Sequence, residues 1–216
     1  MKISNLIQNE NSQELILVFG GFASHPSHFA HLKSDKNVVL VYDYENLDFK
    51  FDLNSFSKIT LIAFSMGVCV ASRVLKNIEF SQKIAINGTP FGIDKLKGIH
   101  PAIFAKQIKK FDLTAFKKSL FKERENEAKD FIFKDEKDLK TELEKLFEFA
   151  LKERNESFIW DKIYSSNHDE IFPQNALKNT FSKLIFLDEP HFAFFHFKTC
   201  LLYTHDAADD PLLLNF

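Results

Sequence analysis

The chain has 216 residues, with 28 Lys or Arg against 30 Asp or Glu and a formal net charge of −2. That length suits one domain able to bury a core without disulfides or metals, and the charge balance gives no general pull toward nucleic acid or an anionic membrane. Cys69 and Cys200, the only cysteines, sit in apolar surroundings without the close Cys/His spacing of a zinc site, so buried thiols are expected and no metal is indicated.

The opening MKISNLIQNENSQ turns polar after Ile7, unlike a signal peptide, and no later run approaches the ~20 apolar residues of a membrane span. A cytoplasmic location is the expectation. The first β-rich apolar run is Leu15 to Phe19 (LILVF). Val38 to Tyr42 (VVLVY), Ile59 to Phe64 (ITLIAF), Ile84 to Ile86 (IAI), Ile163 to Ser165 (IYS) and Leu184 to Leu187 (LIFL) follow. Helical or loop segments separate these six runs, which predicts an α/β fold with a mostly parallel central sheet flanked by helices. Several runs are apolar at successive positions, as expected of strands covered on both faces. Ligands bind such sheets beyond the carboxyl ends of the strands. The segments to search are therefore GGF, DY, SMG, NGTP, SNHDE and DEPH, in chain order.

After the third run, MGVCVASRVLK predicts a helix with Arg73 and Lys76 near its C-terminus, where cations suit the dipole. Between the fourth and fifth runs the alternation lapses for more than 60 residues. Glu136 to Arg154 there places Leu139, Leu143, Leu146, Phe147 and Ala150 on one helical face, with Glu136/Lys140 and Glu148/Lys152 as i,i+4 pairs outside. Residues 1–90 and 158–216 are read as the α/β core and 91–157 as a helical lid insertion. A helical cap without a gating role is the alternative.

Ser65 lies in AFSMG, one substitution from the nucleophile elbow G-x-S-x-G, with Ala63 in place of the first glycine. The elbow needs small residues two before and two after the serine because strand and helix backbones pass closely there, and Ala63 and Gly67 meet that need. The alternative is that Ser65 only caps the helix. A catalytic serine needs a base, an acid that orients the base, and oxyanion donors, in the chain order Ser, Asp/Glu, His for an α/β-hydrolase fold. Asp169 in SSNHDEIFP is the candidate acid, with Glu170 its rival and a turn aspartate the alternative. His191 in DEPHFAFFHF is the candidate base, and His196 its competitor, expected inside a final helix as a packed core histidine. His168 adjoins the acid and is poorly placed to face the serine. His25, His28 and His31 follow the first run and could line a pocket, but their spacing does not make a metal site. The backbone N–H groups of Met66 and Phe22 are the expected oxyanion donors, with Gly20 and Gly21 letting the loop turn beside the serine.

The chain resembles the short α/β-hydrolases of biotin synthesis, the pimeloyl-[acyl-carrier protein] methyl ester esterases. The likeness appears in LVFGGFAS, VYDY, AFSMGVCVA, AINGTPFGID, GIHPAIF, NHDEIFP and HFAFFHF, spread over residues 15–199. The block NGTPFGID...GIHPAIF discriminates better than the elbow, which many hydrolases share. The resemblance implies Ser65 as nucleophile, Asp169 as acid and His191 as base, with Phe22 and Met66 donating to the oxyanion. It also implies cleavage of the methyl ester on a pimeloyl chain held by acyl carrier protein, without a cofactor. Ala193 and Cys200 stand where Pro and Trp are expected, and LLYTHDAADDPLLLNF departs from a family ending. Carrier proteins are acidic as a class, so a basic docking patch is expected. Lys106, Lys109, Lys110, Lys117 and Lys118 in AKQIKKFDLTAFKK are its candidates, with a solvated helix face as the alternative. Another acyl esterase or thioesterase, or a non-catalytic binding protein on the same scaffold, are the competing readings.

Overall fold

The computed structural model describes residues 1–152 and 158–197. Among these, seven strands form one sheet: β1 (Lys2–Ile7), β2 (Glu14–Phe19), β3 (Asn37–Tyr42), β4 (Lys58–Phe64), β5 (Gln82–Ile86), β6 (Lys162–Ser166) and β7 (Ile185–Leu187). Their order across the sheet is β1-β3-β2-β4-β5-β6-β7, and every neighbouring pair is parallel except β1 with β3. The six apolar runs fall in β2 to β7. β1 has no counterpart among them, because KISNLI carries neither a continuous apolar run nor a clean alternation. It is an edge strand whose pairing with β3 supplies its order.

Alternate residues of the central strands feed two cores. Leu15, Leu17, Phe19, Leu61 and Ala63 point into one, and Ile16, Val18, Ile62 and Phe64 into the other. Helix α1 (Met66–Val74) packs on the first face through Val68, Cys69 and Val70. On the second face, Phe121, Phe192, Phe194 and Phe197 cover the sheet. β3 and β4 flank β2 on opposite sides, so the winding reverses there. The crevice beyond the carboxyl ends of β2 and β4 is where such a sheet binds its ligand.

Between β5 and β6 come α2 (Pro101–Lys109), α3 (Leu113–Phe121), a 3-10 segment (Lys122–Ala128) and α4 (Glu136–Ala150). α4 buries Leu139, Leu143, Leu146 and Ala150, and Leu143, Leu146 and Ala150 share the core of Leu61 and Val68. Two details differ from the sequence expectation. Phe147 is only partly buried while Glu142, an acid on the same helix, is fully buried. The Glu136 carboxylate accepts the Leu113 N–H at 2.9 Å, and Lys145 pairs with Glu148 at 3.1 Å along the helix. Arg73 serves a different helix end from its own: its guanidinium donates to the carbonyls of Phe149 and Ala150 at the C-terminus of α4. α1 stops at Val74, so Lys76 lies beyond it.

A short α5 (Gln174–Lys178) follows β6, and a 3-10 turn (Ala193–His196) follows β7. No helix among the described residues is long and apolar enough to cross a membrane. The predicted helix end at Arg154, Cys200, His205 and the tail LLYTHDAADDPLLLNF lie outside the described residues.

Candidate active site

Ser65 sits between β4 and α1 with φ 54° and ψ −126°, a strained conformation for a residue with a side chain. It occupies the capping position of α1, yet its side chain makes no capping hydrogen bond. The N–H instead donates to Ile86 O at 2.9 Å, which ties the turn to the end of β5. Two glycines make room for the turn. A Cβ on Gly67 would lie 2.3 Å from Gly20 O and 2.5 Å from Phe19 O, and one on Gly88 would lie 2.2 Å from Ser65 O. Ala63 is fully buried in the sheet.

His191 is buried, and its Nε2 lies 2.9 Å from Ser65 Oγ while Nδ1 lies 2.7 Å from Asp169 Oδ2. This geometry sets the tautomer: Nδ1–H donates to the carboxylate, and Nε2 accepts the serine O–H. Asp169 Oδ1 accepts the N–H groups of Ile171 and Phe172 at 2.8 Å each, so one oxygen holds its turn while the other meets the histidine. The turn role and the partner role thus coexist in one carboxylate. Glu170 points to Lys122 at 2.9 Å.

The other histidines stand elsewhere. His196 lies in the short 3-10 turn with its side chain 34% exposed and Nδ1 3.6 Å from Glu189, so the expectation of a packed core histidine in a helix is corrected. His168 Nε2 meets Asp188 at 2.7 Å on the surface. His25 caps the turn Pro26–Phe29, His28 Nε2–H donates to Ile132 O at 2.8 Å, and His31 Nε2–H donates to Phe194 O at 3.0 Å. These three fasten loops and do not line the cavity at Ser65. Among the described residues no group of three or more His, Cys, Asp or Glu is arranged to hold a metal ion.

A cavity of about 220 Å³ opens at Ser65, Met66 and His191. Its walls are largely apolar, with Phe22 from the loop after β2 and Phe104, Phe111 and Phe116 from the helical segment over the sheet. The Phe22 ring meets Phe116 edge-on with centroids 5.1 Å apart. The loop carrying Phe22 passes close to the serine, since a Cβ on Gly21 would lie 3.0 Å from Ser65 Cβ. Phe22 and Met66 therefore flank the cavity from the ends of β2 and β4. Lys110 reaches the cavity wall, Lys106, Lys109 and Lys118 are exposed, and Lys117 is turned inward with its ammonium 4.5 Å over the Phe133 ring.

Asn87 and the Arg124–Glu189 pair carry no local signal in the sequence. Asn87, fully buried at the end of β5 with φ 47°, donates from Nδ2 to His191 O and to Ser166 Oγ, both at 2.8 Å. NGTP lies at a strand end, but nothing local shows what an asparagine there will meet. Arg124 donates to both oxygens of the buried Glu189 at 2.5 Å, tying the helical segment to the loop that carries His191.

A family model for the pimeloyl-ACP methyl esterase BioG matches residues 2–203. Over 183 residues, 79% of the chain, the sequence is 32% identical to a Bacteroides fragilis protein named malonyl-[acyl-carrier protein] O-methyltransferase, and the match takes in 37% of that protein. The chain spans less than half the length of the curated relatives it matches. The crystal structure of BioG from Haemophilus influenzae superposes with a TM-score of 0.87 at 26% identity, over 94% of this chain and 99% of that one. A lipase-esterase related protein from Clostridium acetobutylicum superposes with a TM-score of 0.60 at 15% identity, over 89% and 93% of the two chains, and shows the common α/β-hydrolase fold.

Proposed function

The chain belongs to the BioG family of pimeloyl-ACP methyl esterases, and we propose that it is a serine carboxylesterase hydrolysing the methyl ester of pimeloyl-[acyl-carrier protein] to free the pimeloyl carboxylate for biotin synthesis. The observation that supports this most is the hydrogen-bonded line from Ser65 through His191 to Asp169 at the floor of an apolar cavity.

In this reading Ser65 Oγ attacks the ester carbonyl as His191 Nε2 takes its proton, and the Asp169 carboxylate stabilises the imidazolium. Negative charge gathers on the former carbonyl oxygen, toward the N–H groups of Met66 and Phe22. His191 returns the proton to the departing methoxy group and methanol leaves. Water then attacks the acyl-enzyme by the same route, releasing the carboxylate. No cofactor is required. The aromatic walls suit an aliphatic acyl chain, and the segment 91–157, which supplies most of them, is proposed as the lid. Carrier protein would dock at its basic residues, with Lys106, Lys109, Lys110 and Lys118 presented outward and Lys117 acting in packing.

A second reading, methyl transfer to a carrier-bound acyl group, draws on the name of the Bacteroides relative. A serine, a histidine and an aspartate in hydrogen-bonded line favour ester cleavage, because methyl transfer calls for no activated hydroxyl on the protein. The discriminating assay offers methyl pimeloyl carrier protein, short nitrophenyl esters, and pimeloyl carrier protein with S-adenosylmethionine in parallel. Release of methanol and the free acid from the first, faster than turnover of the short esters, is expected. Cleavage of the short esters alone points to a different esterase, and gain of a methyl group in the third arm to the transferase.

A further inference from the structure

Glu142 is 1% exposed on α4, a burial that apolar side chains otherwise occupy on this helix. Burial pushes its carboxyl up to about 7. An acid so placed is costly unless it is well bonded, and its partners are specific. It accepts the Tyr44 N–H at 3.3 Å, the nearby Ala23 N–H helps to favour its charged form, and Lys134 Nζ stands 3.7 Å away. Both N–H donors belong to strained turns at strand ends. Ala23 has φ 62°, and Tyr44 follows Asp43 at φ 59°. The Tyr44 side chain, wholly buried, donates from its hydroxyl to Gly20 O at 2.7 Å. The loop Gly20–Ala23 is thus held at one end by Tyr44 and at the other by Glu142, with Phe22 between the two anchors. The next residue of α4, Leu143, lines the cavity.

We propose that Glu142 is a positioning residue that fixes the Phe22 backbone N–H toward the developing oxyanion and couples the helical segment over the cavity to that donor. It rests on the reading of Ser65 as nucleophile and Phe22 as oxyanion donor. Glu142 touches neither substrate nor serine; it acts through the Ala23 and Tyr44 backbone. Two strained turns persist where surrounding structure over-determines them, and the buried carboxylate bonds the Tyr44 N–H of one and faces the Ala23 N–H of the other.

The test compares wild type with Glu142→Leu and Glu142→Gln on a methyl ester substrate, and measures binding of a trifluoromethyl ketone and of the matching amide. The ketone forms a tetrahedral oxyanion on the serine; the amide only fills the pocket. For Glu142→Leu, kcat falls by about 30-fold, less than loss of a whole oxyanion donor. Its KM stays within about twofold. Ketone affinity drops by the same factor as kcat while amide affinity holds. Glu142→Gln, which keeps an acceptor oxygen, recovers most of the loss. Should the leucine variant not fold, Glu142→Asp, with its shorter reach, is expected to show the same split between ketone and amide. A folded leucine or aspartate variant that keeps kcat and ketone affinity overturns the proposal, as does an equal loss for ketone and amide. If wild type binds the ketone no better than the amide, the assignment of the serine and its oxyanion donors fails as well.

Discussion

The side chain of Asn87 is bonded to the backbone of His191: Nδ2 donates to the His191 carbonyl at 2.8 Å, while Oδ1 accepts the Ser166 N–H at 2.7 Å. The asparagine bridges the end of β5 to the end of β6 and to the histidine loop. Asn87→Asp keeps the size and the acceptor but loses the donor, and sets a carboxylate against two oxygens. We expect kcat to fall by about tenfold or more with little change in KM, because misplacing a reacting group costs rate rather than affinity. Steady-state kinetics beside a melting curve will check it; an unchanged kcat in a folded variant would remove Asn87 from the site.

The elbow makes opposite demands at its two small positions. Ala63→Gly should cost about 1 kcal/mol of stability through backbone freedom and leave activity nearly intact. Gly67→Ala sets a Cβ 2.3 Å from Gly20 O, a backbone atom that cannot yield without moving the loop before Phe22. Labelling of Ser65 by a fluorophosphonate is expected to slow by roughly 100-fold in that variant. Equal labelling rates in the two variants would contradict the close approach.

His191 and His196 are five residues apart in one segment, and the proposal gives them different work. His191→Ala should lower kcat by roughly 10³-fold or more, as for other triads. His196→Ala, at a partly exposed side chain, should remain within about twofold of wild type. Side-by-side kinetics with both purified variants decide the base, and the reverse ranking would displace His191.

His28 carries an acid sensitivity. Burial between Phe131 and Phe133 lowers its pKa from 6.5 to about 3, with His25 and Lys117 adding to the effect. A base whose folded pKa is depressed adds stability above its unfolded value and loses it as pH falls. Between pH 6.5 and 5 the loss is about 2 kcal/mol, at 1.36 kcal/mol per unit. Urea midpoints at pH 7 and pH 5 should diverge more in wild type than in His28→Phe. Parallel behaviour of the two proteins would show that His28 is charged in the folded state.

Lys106→Glu with Lys109→Glu should raise KM about tenfold for a carrier-bound ester while leaving a short nitrophenyl ester unaffected, since charge reversal weakens docking and not chemistry. A matching rise on both substrates would argue against a docking role.

The sequence by itself determined the six apolar runs of β2 to β7 and the strand-end segments between them, because a continuous apolar run is a local property set by burial on both faces. It left β1 unread, since KISNLI owes its pairing to β3 rather than to its own pattern. Only the tertiary structure decided which polar side chains meet. The Ser65 hydroxyl faces His191 from 126 residues away instead of capping α1, and Asp169 rather than Glu170 turns to His191 across 22 residues. Glu142 looked like one acid among several on α4, and its burial followed from the strained turns at Ala23 and Tyr44 that nothing in ELEKLFEFA announces. Hydrogen bonds between distant segments depend on how the sheet orders its strand ends, and that order is a property of the packed molecule, not of any stretch of chain.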